Sequence, residues 1–256
     1  MLPKTGAMSR IPATPVTLLA RPTHFGLSDQ NTRRDSSNES SEVSRDVVME
    51  DIAQIMGLSP VIPVVTVNDA DTGVHIAKAI YAGGVSVIEI TRRTAAAFEA
   101  IQAVKRELPE MCLGVGTVWT AEQARNAIDA GAEFIVSPGI ADAVDDVCRK
   151  HEIAYLPGAQ TVSELAHLAT RGRHHVKLFP ATVLGGPPAI RAYSSVHPEM
   201  TFCPTGGIDQ ETAPAYLALP SVACVGGSWL TPKDAVSRGD WDAVRLEAKN
   251  VDRLRA

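Results

Sequence analysis

Eight short apolar runs recur from residue 60 onward, and their spacing constrains the fold more than anything else in the chain. They are "VIPVVTV" (61–67), "VSVIEIT" (85–91), "CLGVGTV" (112–118), "FIVSPG" (134–139), "AYLPGA" (154–159), "HVKLFPA" (175–181), "TFCPTGG" (201–207) and "VACVGGSW" (222–229). Their starting points lie roughly 20–27 residues apart. Each run has strand length, and each interval leaves room for a helix and two turns, so successive strands can lie parallel. The intervening segments have a helical period. In "TAAAFEAIQAVKRELP", Ala97, Ile101, Val104 and Leu108 fall on one face and Pro109 ends the pattern. "TAEQ" (120–123) and "TVSE" (161–164) are capping-box starts, and "AGG" (82–84) and "AGA" (130–132) supply a glycine between helix and strand. Eight such units predict an α/β chain closed into a (β/α)₈ barrel. A doubly wound open sheet would place a GxGxxG turn after the first strand, and "VTVNDAD" contains none. A short helix at 49–57 is expected to cover the bottom of the barrel, and a last helix, from about Asp240 to Leu254, to close the outer ring.

Residues 1–48 lack this order. "TRRDSSNESSEVSRD" is polar and charged and has no periodicity, so a disordered N-terminal extension is expected, with Met49 a candidate start. Its first thirty residues carry Lys4, Arg10 and Arg21 and few acids, a composition also found in transit peptides. The barrel is expected to occupy 49–256 as a single domain.

The net charge is −5, and no Lys/Arg run is interleaved with aromatics, which argues against nucleic acid as a partner. No apolar run approaches the roughly 20 residues of a membrane span. Cys112, Cys148, Cys203 and Cys224 are far apart and form no CxxC pair. That suits small buried residues in a reducing cytoplasm better than disulfides or zinc.

Within this frame one residue stands out. Seven lysines occur in the chain, and Lys177, in "HHVKLFPA", is the one set inside an apolar strand-like run. An ammonium is almost never buried without a partner, so Lys177 either reaches a polar cleft or has a chemical role. In a barrel of this kind the chemistry gathers at the C-terminal ends of the strands, where side chains alternate inward and outward. With Lys177 and Phe179 inward, strand two would contribute Glu89, Thr91 and, just beyond, Arg93. Strand three would end with Thr117, strand four with Ser137-Pro138, strand seven with Thr205 and strand eight with Ser228. Each has a plainer reading. Glu89 could be only a counter-ion, Thr117 an ordinary β-branched strand residue, and Arg93 a solvated arginine at a helix start. Arg92 has the opposite parity, and there the plainer reading is favoured.

Two glycine pairs form a second cluster. Gly206-Gly207 follow strand seven and Gly226-Gly227 close strand eight. Loops at these two positions commonly cradle a phosphate, because glycine lets backbone N–H groups approach its oxygens. A buried lysine, a carboxylate, a cation and a phosphate cradle together point to imine chemistry. A neutral amine attacks a ketone, and the resulting iminium is an electron sink for cleaving a neighbouring carbon–carbon bond. Burial favours the neutral amine and a neighbouring carboxylate favours the ammonium. Neither a cofactor nor a metal is expected, and none of the seven histidines has zinc-ligand spacing.

The segments "AGGVSVIEITRRT", "GVGTV", "VSPG", "PGAQTVSEL", "VKLFPA", "FCPTGGI" and "GGSWL" occur in that order. With them the chain from about residue 52 to 250 resembles the 2-keto-3-deoxy-6-phosphogluconate (KDPG) and 4-hydroxy-2-oxoglutarate (KHG) aldolases, a family of class I, Schiff-base aldolases. The resemblance implies a (β/α)₈ barrel, a homotrimer, and cleavage of KDPG to pyruvate and glyceraldehyde 3-phosphate, the aldolase step of the Entner–Doudoroff pathway. It implies Lys177 as the Schiff-base lysine and Glu89 as the general acid/base, acting through a bound water. Arg93 and Thr117 would hold the pyruvyl carboxylate, and Pro138 and Phe179 would shape the pyruvate pocket. Thr205 and Ser228, with Gly206, Gly207, Gly226 and Gly227, would form the distal hydroxyl and phosphate subsites. The family usually has an apolar residue at the position of Arg92, and the extension has no counterpart in its pattern.

The same chemistry on KHG or on the galactonate epimer stays open, since the distal subsite decides between them. An epimerase or decarboxylase on a phosphate-binding barrel is a more distant reading, although these commonly use Asp-x-Lys and His175 stands where the Asp would be. A non-catalytic sugar-phosphate binder is a third, and it would not need the Glu89/Lys177 pair.

Overall fold

The structure, a computed structural model, describes residues 51–255. The expectations placed on residues 1–48 lie outside them. Nine strands are present among the described residues: β1 (Val61–Val65), β2 (Val87–Thr91), β3 (Cys112–Gly116), β4 (Phe134–Val136), β5 (Ala154–Leu156), β6 (Gly158–Ala159), β7 (His175–Leu178), β8 (Thr201–Pro204) and β9 (Val225–Gly227). β5 and β6 are the two halves of the expected "AYLPGA" strand, interrupted at Pro157, which has no N–H to donate to a ladder. Nine segments therefore make eight staves.

All named pairs are parallel. One sheet runs β5-β4-β3-β2-β1-β9 and the other β6-β7-β8. The chain joins β5 to β6, and the Lys177 N–H donates to the Pro157 carbonyl at the break. Parallel bridges Phe202↔Val222 and Thr205↔Gly226 join β8 to the β9 segment and close the ring. The fold is a (β/α)₈ barrel.

The helices are α1 (Ile52–Gly57), α2 (Ala70–Ala82), α3 (Ala97–Glu107), α4 (Ala121–Asp129), α5 (Asp142–Lys150), α6 (Val162–Thr170), α7 (Gly186–Val196), α8 (Ala213–Leu217), α9 (Lys233–Ser237) and α10 (Trp241–Lys249). A 3₁₀ turn, Val251–Arg255, follows α10. The local chemistry that starts and stops them matches the sequence except at α4 and at the last helix, which ends at Lys249 instead of running on to Leu254. At α6 the Thr161 hydroxyl accepts from Glu164 N–H while Glu164 accepts from the Thr161 amide, a complete capping box. At α4 Thr120 caps Gln123 N–H, but the Gln123 side chain reaches one residue further back, to the Trp119 amide. Gly84 and Gly131 take φ of +98° and +99° after α2 and α4, the left-handed region that lets the chain leave a helix at once.

Strand β3 positions the site by what it lacks. Gly114 and Gly116 contribute no side chains. An added Cβ on Gly114 would lie 2.1 Å from the Phe134 ring, and one on Gly116 would lie 1.9 Å from Glu89 Oε1. The ring and the carboxylate occupy the space the two glycines leave.

Candidate active site

Glu89 sits in the middle of β2 and Lys177 in β7, across the barrel in sequence and in contact in space. Lys177 Nζ lies 3.0 Å from Glu89 Oε1 and 3.1 Å from Oε2, and it donates to both. Their side chains are 6% and 4% exposed, so the pair is shielded from water. Lys177 is in register with Gly158 on β6 and Cys203 on β8. Gly158 has no room for a side chain, since a Cβ there would lie 2.3 Å from the carbonyl carbon of Pro138. The Pro138–Gly139 backbone is thereby brought against β6, beside the lysine's strand. The Phe179 ring lies above Lys177, with its centroid 5.8 Å from Nζ.

A cavity of about 510 Å³ opens at this end of the barrel, walled by Arg93, Phe179, Thr205, Gly206, Gly207, Gly226 and Ser228 together with residues from β1, the β8 loop and α9. Seven of the sequence-expected residues thus share one cavity. Glu89 and Lys177 are buried in the barrel interior and are not among its walls. Thr205 is itself buried, and a Cβ on Gly226 would lie 2.2 Å from its hydroxyl oxygen, so Gly226 makes room for Thr205. Gly206 and Gly207 have φ of +98° and +75°. Their amides, and that of Ser228, donate to no acceptor among the described residues.

The other expected residues stand elsewhere. Gly227 lies under an indole, 2.0 Å separating an added Cβ from the Trp229 ring, which makes it a packing position in this structure. Ser137 is fully buried and its hydroxyl donates to the Val118 carbonyl at 2.7 Å, tying the β3 and β4 loops together. Thr91 donates to the Val65 carbonyl and accepts from the Thr66 hydroxyl at 2.7 Å. Thr117 follows β3 directly, half-buried, with φ of +66°. For a β-branched residue that is a strained conformation, of the kind that persists where the surroundings fix it. Arg93 is a wall of the cavity and Arg92 is not. Arg92 N–H donates to the Gly116 carbonyl, and its Nε is buried without a hydrogen-bond partner among the described residues.

Sequence reasoning did not single out Val64, Thr66, Ile208, Thr231 or Lys233, which also wall the cavity. Val64 and Thr66 share the alternation of β1 and could have been found from it. Lys233 belongs to a loop and short helix after β9, where no local pattern points inward.

The sequence model of the "KDPG and KHG aldolase" family matches residues 52–246. The chain belongs to this family. Among curated members of the KDPG and KHG aldolase family, the 2-dehydro-3-deoxy-phosphogluconate aldolase of Pseudoalteromonas atlantica is 44% identical over 197 residues, covering 77% of this chain and 92% of that one. The KHG/KDPG aldolase of Escherichia coli is 42% identical over 197 residues, with the same shares, 77% and 92%. Among solved structures, the KDPG aldolase of Legionella pneumophila, with pyruvate captured at low pH as a covalent carbinolamine intermediate, superposes with a TM-score of 0.77. It is 38% identical, and the match covers 79% of this chain and 98% of that one. The protein is an aldolase, a lyase. No helix among its described residues is long and apolar enough to cross a membrane.

Proposed function

We propose that this aldolase cleaves KDPG to pyruvate and glyceraldehyde 3-phosphate through a Schiff base on Lys177. The observation that carries the reading is the buried contact between Lys177 Nζ and both Glu89 oxygens beneath a cavity with a cation and two glycine loops in its walls. Moving one proton along that contact turns ammonium and carboxylate into amine and acid. The pair then carries no formal charge, so the dry interior does not penalise the reactive state. The amine attacks the substrate's C2 ketone to give a carbinolamine. Protonated Glu89 delivers its proton to the departing hydroxyl, which leaves as water, and the iminium remains. The Glu89 carboxylate then takes the C4 hydroxyl proton, through a water. The C3–C4 bond breaks, its electron pair flows into the iminium, and the aldehyde departs. The resulting enamine takes a proton back at C3, and water releases pyruvate and the free amine.

Arg93 and Thr117 hold the carboxylate of the pyruvyl end, and Phe179 and Pro138 bound it. Thr205 and Ser228, with the Gly206 and Gly207 amides, receive the distal hydroxyl and phosphate. Gly226 acts by making room for Thr205. The curated relatives named for KDPG support this substrate, and the Escherichia coli relative, named for KHG as well as KDPG, keeps KHG as the alternative. A homotrimer in the cytoplasm, serving the Entner–Doudoroff pathway, completes the proposal.

The test is incubation with pyruvate and borohydride followed by peptide mapping. A reduced pyruvyl adduct is expected on the peptide carrying Lys177, and neither adduct nor turnover in Lys177→Arg, whose guanidinium stays protonated. An adduct elsewhere, or near-normal turnover in Lys177→Arg, refutes the assignment.

A further inference from the structure

The mouth cavity has an unusual charge balance for this chain. The protein carries a net charge of −5, yet among the described residues the cavity walls include two cations, Arg93 and Lys233, and no carboxylate. Glu89, the acid of the site, is engaged by Lys177 in the interior. Lys233 forms no ion pair among the described residues. Its placement is fixed by a turn: the Thr231 N–H and hydroxyl both donate to the Ser228 carbonyl at 3.3 Å. Pro232 and Lys233 follow directly and open α9. A lysine five positions after Ser228 is thus folded back over the same cavity as Ser228 and the glycine loops.

We propose that Lys233 is a specificity-determining residue, its ammonium pairing with the dianionic phosphate at the non-reacting end of the substrate. This rests on the substrate reading given above. The amides of Gly206, Gly207 and Ser228 offer directional donors but no net charge. A phosphate dianion is held best where such donors meet a cation, and a flexible ammonium serves as a point charge that needs no bidentate geometry. The Thr231 hydroxyl carries no charge and is committed to the Ser228 carbonyl, so Lys233 is the cation that this turn brings to the cavity. Arg93 and Lys233 divide the substrate's negative charges between them, carboxylate to one and phosphate to the other.

The experiment compares kcat/KM for KDPG and for the same sugar acid without its phosphate, 2-keto-3-deoxygluconate, in wild type, Lys233→Ala and Lys233→Arg. Inhibition by inorganic phosphate is measured alongside. Lys233→Ala is expected to lower kcat/KM on KDPG by about 5–30-fold, the range for a partly solvated charged contact, and to affect the unphosphorylated acid much less. Inorganic phosphate should inhibit that variant more weakly, and Lys233→Arg should recover most of the loss. A wild-type preference for KDPG that survives unchanged in Lys233→Ala, or an equal loss on both substrates, overturns the proposal alone. A wild type with no preference for the phosphorylated acid overturns the substrate reading and this proposal with it.

Discussion

Glu89 keeps its place because Gly116 has no side chain. Gly116→Ala would put a methyl carbon 1.9 Å from Glu89 Oε1, against a carboxylate that has nowhere to retreat in a packed interior. The expected outcome is a fall in kcat of about 10²-fold or more, the range for losing a positioned acid/base. A circular-dichroism melt run beside steady-state kinetics checks it, and full activity would show that the carboxylate can move without consequence. Thr117 makes the opposite case. Its φ of +66° stores strain, on the order of 1–3 kcal/mol for such a residue. Thr117→Gly removes that strain while adding about 1 kcal/mol of unfolded-state entropy. The thermal midpoint should therefore hold or rise while kcat/KM falls, because the hydroxyl is gone. A variant that loses stability and keeps its rate would mean the conformation serves folding alone.

Among the elements, α5 is fastened to the turn before β7 by charge. Asp145 is buried and receives Arg171 Nε at 2.6 Å and Arg173 Nε at 2.8 Å, with Arg149 Nε 3.2 Å away, while Asp142 and Asp146 lie nearby against Arg171. Burial opposes the Asp145 carboxylate, but the Arg171 and Arg173 hydrogen bonds and the charges of Arg173 and Arg149 outweigh it and hold the carboxyl below its usual range. Because the folded value lies below the unfolded one, the stabilisation is complete above the ordinary aspartate range and is lost as pH falls through the folded value. Asp145→Asn should lower stability at neutral pH by about 2–3 kcal/mol, less than a fully buried pair because the arginines are partly solvated. The stability curves of the two proteins should converge in acid. Parallel stability–pH curves would refute the linkage.

That network was not legible in the sequence, whereas the staves were. Period and spacing reveal strands because apolar alternation is local. Asp145 and Arg173 are joined only once the barrel brings α5 beside the turn before β7. For the same reason Lys177 and Glu89 could be paired from parity alone, but Gly114 and Gly116 read as ordinary strand glycines until Phe134 and Glu89 arrive from the neighbouring strands. The packing of Gly227 against the Trp229 ring was hidden for the same reason, since only the closed barrel places that ring.

Taken whole, the molecule keeps its charges in two different media. The Lys177–Glu89 pair lies in the dry interior, while Arg93 and Lys233 stand at a mouth open to solvent. Salt screens exposed charges over about 8 Å at physiological ionic strength and buried ones far less. Raising ionic strength should therefore raise KM for the anionic substrate and leave kcat nearly constant. A kcat that falls in step with KM would place the screening at the reacting centre. The bareness of β3 has a consequence of another kind. In most barrels a strand's interior residues can drift among apolar side chains as their neighbours compensate. Here Gly114 and Gly116 have been handed over to Phe134 and Glu89, and any side chain at either position collides with one of them. Like β9, whose Gly226 and Gly227 yield to Thr205 and Trp229, this stave is closed to any side chain at its glycines, and neutral sequence drift in this protein must run through positions whose neighbours are free to compensate.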